Sequence, residues 1–74
     1  MIEVRSEIDS VVTQYEVDDG DHVSEGDNVV MLEVMKMQNY VESPVSGRVR
    51  FVAQLGETVA AGDVLFTVEE DAHG

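Results

Sequence analysis

The ten residues Gly20-Asp21-His22-Val23-Ser24-Glu25-Gly26-Asp27-Asn28-Val29 return 36 positions later as Gly56-Glu57-Thr58-Val59-Ala60-Ala61-Gly62-Asp63-Val64-Leu65. Both copies carry a glycine followed by an acid, then a valine, then Gly-Asp and an aliphatic two residues on. The match runs without a gap through Leu32 and Glu33 onto Val68 and Glu69. Upstream, with one residue slipped, Ser6, Ile8, Val12 and Tyr15 fall against Ser43, Val45, Val49 and Val52. Two similar halves thus tile a chain of 74 residues, which is too short for a second core. Two units are also too few for a solenoid, which needs about three or more. The halves must therefore bury their apolar faces against one another.

Each half favours strands. Valine occurs 15 times against three leucines and four alanines, and β-branched side chains lose freedom in a helical turn but fit a pleated surface. Turn signals interrupt the chain at 18–21, 24–28, 43–47, 55–57 and 61–63, leaving no room for a helix of three turns. The runs near 2–5, 10–17, 29–34, 38–42, 48–53 and 64–69 are predicted strands of an all-β, two-layer sandwich with approximate two-fold symmetry. The order Val-Val-Met-Leu-Glu-Val at 29–34 is not a strict alternation, which leaves open a bulge or two partly covered faces. Val23, Val29, Leu32, Val59, Leu65 and Val68, equivalent in the two copies, are assigned to the core. The repeat glycines are placed in turns at positive φ.

Composition narrows the function. Sixteen acidic residues against four basic ones give a net charge of −12, which repels phosphate backbones and anionic headgroups, so neither nucleic acid nor membrane is an expected partner. The absence of cysteine removes disulfides, thiolate metal sites and thiol nucleophiles together. The first residues lack the basic and apolar pattern of an export signal, so a cytoplasmic location is expected. His22 follows Asp19 and Asp21, but three residues in one solvated turn lack the convergent geometry of a metal site. His73 falls in the terminal Asp71-Ala72-His73-Gly74, read as a flexible tail after a domain spanning 1–70. Asp18, Asp19, Asp21, Glu25 and Asp27 read as a solvated edge, with a docking face for basic surfaces as the sharper alternative. No cluster of nucleophile and base appears, so no catalytic site is expected.

The repeat leaves over one segment, Val34 to Glu42, as a connecting hairpin with Lys36 at its tip. Lys36 is the sole lysine; the other basic residues are Arg5, Arg48 and Arg50. A lone lysine in a turn is ordinarily a solvated residue. Here Met35 and Met37 flank it where Gly, Asn or Asp would suit a turn, and exposed thioethers make a soft surface for another protein. An ε-amine can be acylated, which removes its charge and extends a flexible arm.

Glu33-Val34-Met35-Lys36-Met37, set after Gly26-Asp27-Asn28-Val29 and before Ser43-Pro44-Val45-Ser46-Gly47, resembles the biotinyl (biotin carboxyl carrier) domain family over roughly residues 3 to 69. In that family the lysine between two methionines is covalently biotinylated. The resemblance implies a flattened eight-stranded β-barrel or sandwich (a barrel-sandwich hybrid) with Lys36 on a protruding hairpin. It implies a biotin protein ligase that recognises Glu33, Met35 and Met37 and joins biotin to Lys36. It further implies a non-catalytic carrier that takes carboxylate from a biotin carboxylase to a carboxyltransferase. Val34 stands where the family most often has Ala, and Ser6-Glu7-Ile8-Asp9-Ser10 where many members have Pro and Gly, so the first turn is expected to differ in shape. The chain from Val12 to Gly20 is too short for the protruding thumb of some bacterial carriers, leaving biotin less restrained. Two rival readings share the fold: a lipoyl carrier of a 2-oxo-acid dehydrogenase or glycine cleavage complex, whose lysine resembles Asp-Lys-Ala in its flanks, and an unmodified β-barrel interaction module.

Overall fold

The computed structural model describes residues 1–72. The chain forms eight strands and, among the described residues, no helix: β1 (Ile2–Arg5), β2 (Ser10–Tyr15), β3 (His22–Val23), β4 (Asn28–Val34), β5 (Met37–Glu42), β6 (Gly47–Phe51), β7 (Thr58–Val59) and β8 (Val64–Glu70). Two antiparallel four-stranded sheets result, in the orders β1-β8-β6-β3 and β5-β4-β2-β7. The six expected runs are all strands. The two added ones, β3 and β7, are two residues long, too short to register as a periodic pattern, and they are repeat equivalents.

The two-fold relation maps β1–β4 onto β5–β8 and one sheet order onto the other. Each sheet, however, takes two strands from each half, so the halves are interleaved and do not form one layer each. The repeat also holds at the level of single hydrogen bonds. Gly20 N–H donates to Val49 O and Gly56 N–H to Val12 O, at 2.9 and 2.7 Å; Gly26 N–H donates to Ser43 O and Gly62 N–H to Ser6 O, both at 2.8 Å. The turns after β1 and β5 share an equivalent side-chain contact. Ser6 Oγ donates to Ile8 O and Ser43 Oγ to Val45 O, both at 2.6 Å.

One alignment is corrected. The β2–β4 register shifts between Val12 and Gln14, which makes Thr13 an extra residue. Beyond it Tyr15, opposite Val30, is equivalent to Phe51, opposite Phe66, and not to Val52. The two aromatic equivalents stack on each other with centroids 3.6 Å apart and planes 14° apart. Tyr15 OH donates to Ala53 O at 2.6 Å, and burial first, then the nearby Glu57 and Asp19 carboxylates, push its pKa up to about 12.

The irregular order at 29–34 comes from a register shift between Asn28 and Val30, which turns both Val29 and Val30 inward. The six residues assigned to the core are all buried, joined by Val12, Val30, Val49, Ala53 and Phe66. No buried side-chain nitrogen or oxygen among the described residues lacks a hydrogen-bond partner. Gly47 opens β6 where a Cβ would collide with the Glu69 backbone carbonyl, so its role is close strand approach and not turn geometry.

The acidic turns are partly structural. Asp21, Asp27 and Asp63 carboxylates accept from the backbone N–H of Asp18, Ser24 and Ala60 at 3.0, 2.9 and 2.9 Å, and Glu57 does the same for Gln54 at 2.9 Å. Asp19 accepts from Phe51 N–H at 2.9 Å. The run read as a solvated edge therefore includes three side chains that close turns or tie one half to the other. Asp71, placed at the start of the tail, donates its N–H to Ser46 O at 3.1 Å and pairs with His22 Nε2 at 2.9 Å. His73 and Gly74 lie outside the described residues.

Gly20 and Gly56 have φ of 92° and 82°, and a Cβ at either position would meet nothing within 4 Å. Substituting either by Val therefore costs backbone strain alone, on the order of 1–2 kcal/mol. Equilibrium urea unfolding should give equal losses for the two variants, and a large inequality would break the two-fold equivalence of these turns. Tyr15 supplies a pH test. Its folded-state pKa lies above the ordinary value near 10, so its contribution is complete below pH 10 and is lost as pH rises toward 12. Tyr15→Phe should flatten the fall of the thermal midpoint between pH 10 and 12.

Candidate functional site

Strands β4 and β5 are joined by a two-residue loop, because Val34 and Met37 still pair across the ladder. That leaves Met35 and Lys36 as the central residues, with φ of 50° and 67°. Positive φ at both positions is the signature of a type I′ turn, whose twist matches the flanking strands and whose usual occupants are Asn-Gly or Gly-Gly. A methionine and a lysine hold this conformation at a cost of roughly 1–2 kcal/mol each. They are the two non-glycine residues with positive φ among the described residues.

The tip carries little else. Met35 is 88% and Met37 68% exposed, and Lys36 is exposed with no ion pair or side-chain hydrogen bond among the described residues. Its amine is thus open to an incoming acyl group from solvent. Glu33 is half-buried three residues back, where Gln38 Nε2 donates to its Oε1 at 3.4 Å and Thr13 Oγ1 donates to Gln38 Oε1 at 3.1 Å. Glu33, Met35, Lys36 and Met37 are therefore gathered on one hairpin, with Glu33 braced by a short polar chain on the outer sheet face. His22 stands apart from the two aspartates preceding it, whose carboxylates are taken by backbone N–H groups.

The sequence pattern did not single out Tyr40 and Ile8, which are 53% and 50% exposed. They line a cleft of about 670 Å³ together with Val34 and Asn39. Their signal was weak because they come from a strand and a turn far apart in the chain.

Residues 3–71 match the family model described as biotin-requiring enzyme. The mitochondrial propionyl-CoA carboxylase alpha chain of Homo sapiens is 40% identical over 67 residues, covering 89% of this chain and 9% of that protein. The biotinylated protein TB7.3 homolog of Mycobacterium leprae (strain TN) is 37% identical over 67 residues, covering 89% of this chain and 94% of that protein. Among solved structures, the Kluyveromyces lactis urea carboxylase superposes with a TM-score of 0.83 at 31% identity, over 90% of this chain and 6% of that one. The lipoyl domain of the Azotobacter vinelandii 2-oxoglutarate dehydrogenase complex superposes with a TM-score of 0.83 over 97% of this chain and all of that domain. At 22% identity the latter likeness is one of fold. The chain spans less than a tenth of the carboxylase chains and nearly all of the mycobacterial protein.

The turn strain is measurable. Met35→Asn places a residue that tolerates positive φ at a site with no packing to lose. It should stabilise the domain by about 1 kcal/mol, raising the thermal midpoint by roughly 4–8 °C; an unchanged or lower midpoint would mean that the methionine contributes to the fold.

Proposed function

Because the chain belongs to the biotin-requiring enzyme family as a biotin carrier domain, we propose that Lys36 is the residue that takes biotin. The observation that carries this reading is the sole lysine of the chain, exposed at a strained two-residue tip between two exposed methionines. Deprotonated Lys36 Nζ attacks the acyl carbon of biotinyl-adenylate held by a biotin protein ligase; the C–N bond forms, AMP leaves, and the nitrogen gives up its remaining extra proton. Met35 and Met37 fill an apolar surface on the ligase, and Glu33 presents a carboxylate beside it.

The domain acts as a carrier without a catalytic group of its own. When bound, biotin supplies a ureido nitrogen that accepts and releases carboxylate. The carbonyl-bearing acceptor belongs to a carboxyltransferase, and a biotin carboxylase loads the carrier, by analogy with the propionyl-CoA and urea carboxylases it is similar to. The protein's part is mechanical. The sandwich measures 43 × 20 × 17 Å, and a rigid body of that length with a tethered arm at its tip replaces bimolecular capture by an encounter at an effective concentration that reaches the mM range. The lipoyl reading shares this geometry but has fold alone in its favour, and Met stands at both flanks where lipoyl carriers resemble Asp-Lys-Ala.

Lys36→Arg should keep the fold and abolish biotin incorporation, because a guanidinium stays protonated and is not an acyl acceptor. Intact mass after co-expression with a biotin ligase reads it, and a mass gain in the Arg variant would remove Lys36 as the site. Replacing Met35 by Asp and Met37 by Ala should slow incorporation roughly 5- to 150-fold, since an aspartate pressed into an apolar ligase surface loses hydration at a cost of about 1–3 kcal/mol. The thermal midpoint should not fall. An unchanged incorporation time course would show that the ligase reads another face.

A further inference from the structure

The cleft that contains Ile8 and Tyr40 breaks the symmetry of the scaffold. It lies between the edge strands β1 and β5, one from each sheet. Eight of its thirteen lining residues form four two-fold pairs, Val4 with Val41, Arg5 with Glu42, Ser6 with Ser43 and Glu7 with Pro44. The other five are Ile8, Leu32, Val34, Asn39 and Tyr40, while their equivalents Val45, Val68, Glu70, Ile2 and Glu3 do not line it. A cleft centred on the two-fold relation thus extends toward one end only, and that end is the Lys36 hairpin. Val34, its outermost wall, is two residues from Lys36.

We propose that biotin joined to Lys36 folds back into this cleft between Ile8 on one wall and Val34, Asn39 and Tyr40 on the other, so that the domain holds its own cofactor between visits to its enzymes. The proposal rests on Lys36 being the attachment site. Reach permits it. A biotinyl-lysine arm of about ten single bonds spans roughly 12 Å, and Asn39 is three residues along β5 from Lys36, about 10 Å at the rise of an antiparallel strand. Size permits it too, since 670 Å³ falls within the roughly 300–1,000 Å³ of small-molecule sites. The chemistry is matched. Ile8 and Val34 offer apolar surface to the acyl chain and thioether ring, while the Asn39 amide, unbonded among the described residues, offers both a donor and an acceptor to a ureido group. Tethering supplies the concentration, so weak contacts suffice.

The test compares apo and fully biotinylated protein by amide ¹H–¹⁵N spectra, with intact mass establishing the modification. Docking predicts shift changes at Arg5–Ile8 and at Asn39–Tyr40 in addition to Met35–Met37. Ile8→Asp, at a half-exposed position, should erase the distal changes while leaving the rest of the spectrum folded. It should also speed capture by streptavidin about threefold, as expected if the undocked arm is populated roughly one third of the time. Shifts confined to residues 35–37 in protein whose mass shows biotin would overturn the docking and leave the attachment site standing. A failure to gain mass at Lys36 would overturn both.

Discussion

Neither half of this chain closes a sheet alone, and the strand pairs that cross between halves hold the rest in place. β8 lies between β1 and β6, and β4 between β5 and β2, so each sheet's long strand is flanked by one strand from its own half and one from the other. The pairing of Ile2 with Val68 joins residues near opposite ends of the sequence. The valine-rich inner faces can therefore be removed from water only when both halves are present, which makes the two repeats one cooperative unit and not two small domains. The capping carboxylates serve the same end. Asp19 of the first half accepts from Phe51 of the second, and Asp9 accepts from Ala61 N–H at 2.9 Å.

A two-fold scaffold has two equivalent ends, and the proposed attachment at Lys36 uses one of them. At one end β4 continues into β5 through Met35 and Lys36; at the equivalent place near the other end β8 and β1 lie side by side without a connection. Among the described residues the Met35–Lys36 turn thus has no counterpart at the other end. The same backbone supports a lipoyl domain at 22% identity with a TM-score of 0.83, so the fold by itself does not set the cofactor.

The repeat made the core legible, since equivalent valines and leucines must share an environment in a symmetric sandwich, and the segment left between the copies, Val34 to Glu42, held Lys36 at its tip. It did not make the interleaving legible. Alignment says which residues are alike, not which strands pair, and β1 could equally have paired within its own half. The extra Thr13 was visible only as a one-residue slip, whose place became clear once Tyr15 was seen opposite Val30 and Phe51 opposite Phe66. Gly47 looked like a turn residue because closeness of two strands leaves no local trace. Asp19, Asp21 and Asp27 looked solvated because exposed acids and turn-capping acids occupy the same positions in sequence.

Strain at the tip follows from the demands placed on it. A two-residue loop is the shortest way to present one side chain at the end of a rigid hairpin, and the right-handed twist of the strands requires positive φ at both central residues. Asn-Gly would satisfy the backbone, but it carries neither the amine nor the thioether that the proposed attachment of biotin uses. Methionine and lysine at φ of 50° and 67° carry that chemistry at a cost of about 1–2 kcal/mol each. A domain of this size tolerates such a cost because four carboxylate-capped turns lie elsewhere and no buried side-chain nitrogen or oxygen among the described residues lacks a partner. The strain is confined to the one loop where no packing depends on it, so the tip can be altered for recognition without loosening the body that positions it.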